Sequence, residues 1–566
     1  MVTANSTILI RPITQSPGLG LWLDSCLNLC LRFRLRLRLR LVSALWLGLG
    51  LLLGSGGGLA QPALPNLGDR ISGTVSLEQE YVLGQEFLRQ IRRGAPTIPD
   101  PLLNAYLENL TYKIAAQSQL RDHRLSFVII DSEELNAFAA PGGIIGINSG
   151  LFIESASEAE FASVMAHEIA HLSQRHYARG IDEAKQNRVP QLATVLASVL
   201  IMATSDPAHG LAALTGAQGL ALEDRLRYSR SNETEADRVG QDTMHAAGFD
   251  PRAMSTMFGR LMANSRFDSR PPEYLLSHPV SETRVAESRS RAGRYLGKDY
   301  NDSLEYHINR ARVLAHYAED KSALVAEWER RVAVDAPGSS AESVETSNPD
   351  STDSADEFDI TSSGVTASAI SQGIALATDP AGITRDANRY ALAVAYWEAG
   401  RYEDAHDTLA PLLVKESNRI SYVVTQAEIL VKQDRPRQAA EYLRRHLTIS
   451  PGNHPLTMAY VDALQEARDY QQAAVTMEQQ TSLRPDDQQL WYELAETQGQ
   501  AGNIRKVHEA RAEYFTLVGG YESAAEQWGY ALRIAGEEDE AESEIIRLEQ
   551  KILDVAEMWD AARGRR

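Results

Sequence analysis

Residues 157–176 read Ser157-Glu-Ala-Glu-Phe-Ala-Ser-Val-Met-Ala-His167-Glu168-Ile-Ala-His171-Leu-Ser-Gln-Arg-His176. Ser157 followed three residues later by Glu160 is a helix-start signature. On the helix it opens, His167 and His171 lie one turn apart on the same face. Both imidazoles can then reach one metal ion, with Glu168 beside an open coordination position. Ala162, Val164, Met165, Ala166, Ile169, Ala170 and Leu172 make this a buried helix. Burying two histidines and a glutamate among them is costly unless something binds them. An exposed helix that carries the three residues by coincidence does not account for those apolar neighbours. The chemistry implied is hydrolysis at zinc, one ion per subunit, with Glu168 as the base that takes a proton from water.

Such a site needs a third protein ligand and one position kept open. No third histidine follows at the HExxHxxGxxH spacing, because position 177 is Tyr177. The next candidates lie in Ser231-Asn-Glu-Thr-Glu-Ala-Asp-Arg-Val-Gly240, where Glu233 and Asp237 share a helix face. One of them can bind the metal while the other accepts a hydrogen bond from a ligand histidine. A solvated cluster of acids at a helix end is the plainer alternative.

Taken together, His167-Glu-Ile-Ala-His171 and Glu233-Thr-Glu-Ala-Asp237 resemble the HExxH and ExxxD motifs of the metallopeptidase family of CAAX prenyl proteases and the HtpX heat-shock protease. That resemblance implies Glu233 as third ligand and Asp237 as its partner behind the site, with Glu235 at a non-ligand position. Two further segments are similar to the family. Asn136 to Leu151 resembles the strand before the active helix, and such an edge strand could bind an extended peptide by strand addition. His278-Pro-Val-Ser-Glu-Thr-Arg284 matches an HPxxxxR segment, which implies that His278 and Arg284 lie near the catalytic site. His278 could bind substrate, stabilise an oxyanion, or fill the fourth metal position and hold the enzyme latent; a structural histidine is the alternative. Arg284 could orient a peptide carbonyl or carboxylate, or serve as an ordinary ion-pair partner. His123, His176, His209 and His245 carry no assignment.

Outward from the motif, apolar spacing predicts helices over Leu77–Arg93 and Pro99–Gln119. Strands are predicted over Leu125–Ile130 and Gly143–Asn148, and helices from there to about Val334. Val189–Thr204 and Gly210–Leu222 are strongly apolar but short of a bilayer span, and Asp206-Pro207 and His209 divide them. They read as a helical hairpin packed on the peptidase or touching a membrane or partner, rather than a transmembrane pair.

Between Asp335 and Asp359 eight acids occur with no lysine or arginine, so this stretch reads as a flexible linker. Beyond it Ala405, Ala439 and Ala473 recur at intervals of 34 residues, with Val507 at the next step. Gly400 with Gly502, and Pro451 with Pro485, keep the same phase. This period resembles tetratricopeptide repeats, paired helices stacked into a superhelix, with the small residue where two helices meet. Glu522–Leu553 reads as a further, degenerate pair.

The chain has 566 residues and a net charge of −20. Residues 1–60 hold six arginines and one aspartate, so the remainder stands at −25. Such an acidic body makes nucleic acid an unfavourable partner. Residues 32–60 combine a basic run, the apolar stretch Leu41–Leu53 and a small-x-small end at Gly58-Leu59-Ala60, which reads as a secretory signal cut before Gln61. An uncleaved inner-membrane anchor is the alternative. Both cysteines, Cys26 and Cys30, lie inside that segment, so a mature chain has neither a thiol nucleophile nor a Cys-ligated metal.

The expected architecture is mainly α, with a small β-sheet in a zincin-like α+β peptidase domain followed by an α-solenoid. The expected boundaries are 1–60 signal, 61–334 peptidase, 335–383 linker and 384–566 repeats. The resemblance extends to the family's secreted, repeat-bearing branch and implies a periplasmic zinc endopeptidase of protein quality control. Its substrates would be misfolded or stalled outer-membrane proteins, with the repeats meeting those substrates or an assembly machine, and peripheral membrane contact is open to it. A chaperone or adaptor with a latent protease site is the competing function. The acidic linker is not part of that branch's pattern, so the sequence leaves open how the two parts sit together.

Overall fold

In a computed structural model, residues 75–180, 230–265, 272–295, 300–335, 383–538 and 540–563 are described, all within the unit Gly68–Arg566. The expected signal, the acidic linker beyond Asp335 and the two apolar runs lie outside the described residues. Helix α1 (Leu77–Gly94) opens on a full capping box between Ser76 and Gln79. Helix α2 (Pro101–Ala115) opens on Asp100, whose carboxylate accepts from the Leu102 and Leu103 amides.

Strands β1 (Ser126–Ile130), β2 (Ala137–Ala140) and β3 (Ile144–Asn148) form one sheet in the order β1-β3-β2. Strand β1 runs parallel to β3, and β2 antiparallel to it. The segment Asn136–Leu151, expected as one edge strand, therefore holds two. The Pro141-Gly142-Gly143 turn, with φ +76° and +80° at its glycines, folds β2 back on β3. As a result β3 is central, and of these two strands it is β2 that lies on an edge. Phe138 of β2 covers Gly146 of β3, where a Cβ would stand 2.1 Å from the ring.

Helices α3 (Gly150–Glu154), α4 (Glu158–Ser173), α5 (Arg230–Ala247), α6 (Arg252–Ser265), α7 (Glu273–Ser277), α8 (Glu282–Ala292), α9 (Leu304–Tyr317) and α10 (Lys321–Val334) complete this part. Helix α4 runs through the core. Phe161 packs with Tyr106, Phe152 and Tyr306, and Ser157 caps its N-terminus by accepting from the Glu160 amide. Helix α5 crosses α4 at Gly240, where an added Cβ would lie 3.2 Å from the Ala166 carbonyl oxygen. A side chain there would force the two backbones to give by a few tenths of an ångström.

Ten helices follow in pairs: α11 (Ile383–Glu398), α12 (Tyr402–Lys415), α13 (Ile420–Lys432), α14 (Pro436–Ile449), α15 (His454–Glu466), α16 (Tyr470–Leu483), α17 (Gln488–Gln500), α18 (Ile504–Leu517), α19 (Tyr521–Glu537) and α20 (Glu542–Arg563). Ala405, Ala439 and Ala473 are fully buried at the fourth position of α12, α14 and α16. The turns before those helices and before α18 hold Gly400, Asp434, Arg468 and Gly502, all with φ between +60° and +81°. In each, the next amide bonds back to the carbonyl five residues earlier, so the repeat demands a left-handed residue there whatever its identity. Among the described residues no helix is long and apolar enough to cross a membrane.

The helices flanking the linker share one hydrophobic core, with Val313, Leu314 and Trp328 packed with Tyr390, Ala391 and Val394. Arg312 of α9 pairs with Asp100 at 2.7 Å and with Glu428 of α13 at 2.9 Å. Arg419 pairs with Glu305 at 2.8 Å, and Arg484 with Glu108. The relation the sequence left open is thus set by packing and these ion pairs.

Arg468→Gly should raise the melting temperature. Relief of the left-handed strain, roughly 1–2 kcal/mol, exceeds the glycine entropy cost of about 0.5–1 kcal/mol. Ala439→Met should lower it by overpacking, at a cost of about 1–3 kcal/mol. Differential scanning calorimetry reads both, and an unchanged or lower midpoint for Arg468→Gly would contradict the first.

Candidate metal centre

Almost every side chain from Glu158 to His171 is buried, His167, Glu168 and His171 included. Helix α5 carries Glu233 and Asp237 toward α4, both buried on its inner face. His278 ends α7, its amide bonded to the Tyr274 carbonyl. Ser281 then caps α8 through the Arg284 amide, which places Arg284 in the first turn, buried.

These elements bring ligand atoms of His167, His171, Glu233 and His278 within 4.8 Å of one another. His167 Nε2 and His171 Nε2 stand 3.0 Å apart, and each lies 3.3–3.4 Å from a Glu233 oxygen. His278 Nδ1 is 3.2 Å from Glu233 Oε1 and 3.3 Å from His167 Nε2. Glu168 lies to one side, its Oε1 buried without a hydrogen-bond partner and 3.6 Å from His278 Nε2. The Ala139 amide of β2 bonds to its carboxylate.

Behind the ligands, His167 Nδ1 stands 3.0 Å from Asp237 Oδ1, a close ionic contact rather than a straight hydrogen bond. Arg284 grips Asp237 with two hydrogen bonds of 2.7 and 2.8 Å. It also lies 3.0 Å from Glu233 Oε2 and donates to the Pro279 carbonyl. Of the two roles expected for Arg284, these contacts fill that of an ion-pair partner. Its guanidinium is taken up by the two acids of α5 and its own loop, and it positions them.

The electrostatics favour a cation at the centre. Burial alone would lower the His167 pKa, but Asp237 and Glu233 outweigh it and raise it to about 9. Burial opposes ionisation of Glu233, yet His278, His167 and His171 hold it well below the usual carboxylate range. Burial pushes Glu168 upward, as suits a proton acceptor. His171 and His176 fall to about 3, in both cases chiefly by burial. Two imidazole nitrogens and a carboxylate aimed at one point leave lone pairs facing each other, and the donor set suits a divalent metal. The metal-binding fit therefore rests on converging donors and an orphaned Glu168 oxygen.

The sequence reading brings together His167, Glu168, His171, Glu233, Asp237, His278 and Arg284, all within this cluster. It left His176 without assignment and set Glu235 aside, yet His176 lies against His171 and Glu235 against His176. The available signal was the third histidine of His167…His171…His176, but its spacing of five residues matches no single helix face. A cavity of 810 Å3 lies elsewhere, between α2 and the α12–α13 turn, and none of these residues lines it.

Glu233→Ala should leave α5 in place and abolish stoichiometric metal, measured by inductively coupled plasma mass spectrometry on folded protein. Metal content equal to the parent's would exclude Glu233 as a ligand.

The model of Peptidase family M48 matches residues 101–292, and that of the tetratricopeptide repeat matches residues 430–496. The chain is 30% identical over 465 residues to the beta-barrel assembly-enhancing protease of Escherichia coli (strain K12), covering 81% of this chain and 85% of that protein. To the protease of the same name from Yersinia pestis it is 29% identical over 460 residues, with 81% and 85% covered. To a mitochondrial metalloendopeptidase of Schizosaccharomyces pombe it is 28% identical over 216 residues, which span 37% of this chain and 60% of that one. With the HExxH helix and the converging carboxylate in place, the chain belongs to Peptidase family M48, as a metallopeptidase that carries tetratricopeptide repeats.

Proposed function

We propose that this metallopeptidase is a zinc endopeptidase of the bacterial periplasm, acting in quality control of outer-membrane protein assembly. The observation that carries the zinc reading is the cluster of His167, His171 and Glu233 beside Glu168, whose Oε1 has no hydrogen-bond partner. The cellular role draws on the names and coverage of the bacterial relatives. The proposed organisation is a signal over 1–60, a peptidase over 61–334, a linker over 335–383 and repeats over 384–566.

Held by His167, His171 and Glu233, zinc would supply Lewis acidity for a peptide carbonyl and would lower the pKa of a water molecule. Glu168 takes the water's proton and delivers it to the leaving amide nitrogen. Asp237 and Arg284 keep His167 and Glu233 aimed. Strand β2 offers an edge beside Glu168 to which an extended substrate can add as another strand. The repeats, packed on the peptidase, recruit unfolded substrates or an assembly partner.

His278 within the ligand cluster supports a latent resting form, because its Nδ1, 3.2 Å from Glu233 Oε1 and 3.3 Å from His167 Nε2, is in reach of a fourth metal position. A chaperone or adaptor role resting on the repeats alone remains the competing reading.

Glu168→Gln should keep zinc and partner binding while cleavage of an unfolded protein falls about 10²–10⁴-fold. If the variant complements a deletion as well as the parent, the adaptor reading wins. His278→Ala should cleave the same substrate faster than the parent, and a rate no higher would remove the latent form.

A further inference from the structure

Helix α4 ends at Ser173, and Gln174 caps it. Arg175 then takes φ +52°, a left-handed conformation unusual for a residue other than glycine, asparagine or aspartate. It is held there from its side chain, which donates to the Val75 carbonyl at 2.6 Å and pairs with Glu80 at 3.1 Å. The reversal turns the next residue back toward the helix it has just left. His176 comes to rest against His171, ring centroids 4.7 Å apart and nearly perpendicular.

Their contact is directional. His171 presents Nε2 to Glu233 and His167, so a ligand at that nitrogen leaves the proton on Nδ1. His171 Nδ1 lies 2.8 Å from His176 Nδ1, which must then accept. The remaining His176 proton sits on Nε2, 3.2 Å from Glu235 Oε2. Arg179 in turn holds that carboxylate at 2.7 Å. Every donor in the chain thus meets an acceptor, in one order only.

We propose that His176 is a positioning residue for the metal centre, relaying the Glu235 carboxylate to His171 and fixing its tautomer. The proposal rests on the zinc reading above. A reason for the relay lies in helix α5. Glu233 and Asp237, four residues apart, both face α4, so Asp237 reaches His167 directly. Glu235 falls between them and points to another side of α5, where it meets His176 and Arg179. That imidazole links it to His171, and an arginine backs each arm, Arg284 for Asp237 and Arg179 for Glu235.

The test compares full-length His176→Phe and His176→Asn with the parent. Phenylalanine fills the space without an acceptor, whereas the asparagine amide oxygen replaces Nδ1. Zinc affinity is measured by competition with a chromophoric chelator, and the melting temperature of the metal-free form is recorded beside it. The expected result is affinity about 10–100-fold weaker for His176→Phe, affinity within a few-fold of the parent for His176→Asn, and metal-free melting temperatures like the parent's. If His176→Phe does not fold, Glu235→Ala on the same assay should weaken zinc in the same direction. Parent-like affinity in His176→Phe or Glu235→Ala, or equal loss in Phe and Asn forms, overturns the relay. A parent that binds no zinc overturns the metal reading itself and the relay with it.

Discussion

Two imidazole nitrogens 3.0 Å apart, with a buried carboxylate aimed between them, crowd lone pairs that a shared proton or a metal cation must bridge. That constraint governs the peptidase. It explains why α4 is buried along nearly its whole length, since water would otherwise solvate the donors and dissolve the site's preference for a cation. It also explains the close approach at Gly240. Only a close crossing of α4 and α5 brings a carboxylate from one helix within reach of two histidines on the other.

The groups behind the centre divide into two unequal arms. Asp237 touches His167 directly and is gripped by Arg284. His171 is backed instead by an imidazole and, beyond it, by Glu235 with Arg179. In both arms a carboxylate is buried or half-buried, and in both a guanidinium offsets its desolvation. Arg284 belongs to this frame even though it lies beside the HPxxxxR loop that delivers His278. One short segment therefore both presses an imidazole on the ligand cluster and steadies the acids around it, which links any movement of that segment to the order of the metal centre.

The repeats are equally bound to the peptidase. Apolar residues of α9 and α10 continue into α11 without a break, and Leu102 of α2 packs among residues of α13 and α15. Arg312, which meets acids from both parts, would lose its compensation if they separated. The acidic stretch between α10 and α11 thus joins helices that are already neighbours, so it need not carry the spatial relation itself.

Periodicity and residue chemistry made much of this legible beforehand. One helical turn between His167 and His171, and another between Glu233 and Asp237, are properties of the chain's local geometry. So are the 34-residue intervals that place Ala405, Ala439 and Ala473 in tight helix contacts. Local rules also placed the cap at Ser157. Beyond their reach were the second strand at Ala137–Ala140, whose pairing depends on a turn folding it onto β3, and the contact between His176 and His171. That contact requires a left-handed residue at Arg175, which is tolerated only because Glu80 and Val75, some 95–100 residues earlier, hold its side chain. The sequence alone determined which residues share a helix face and which chemistry they suit, because those depend on neighbours within a turn or two. The tertiary structure decided which faces meet, what Arg284 grips, and how the repeats sit, because those depend on burial and charge pairing between residues far apart in the chain.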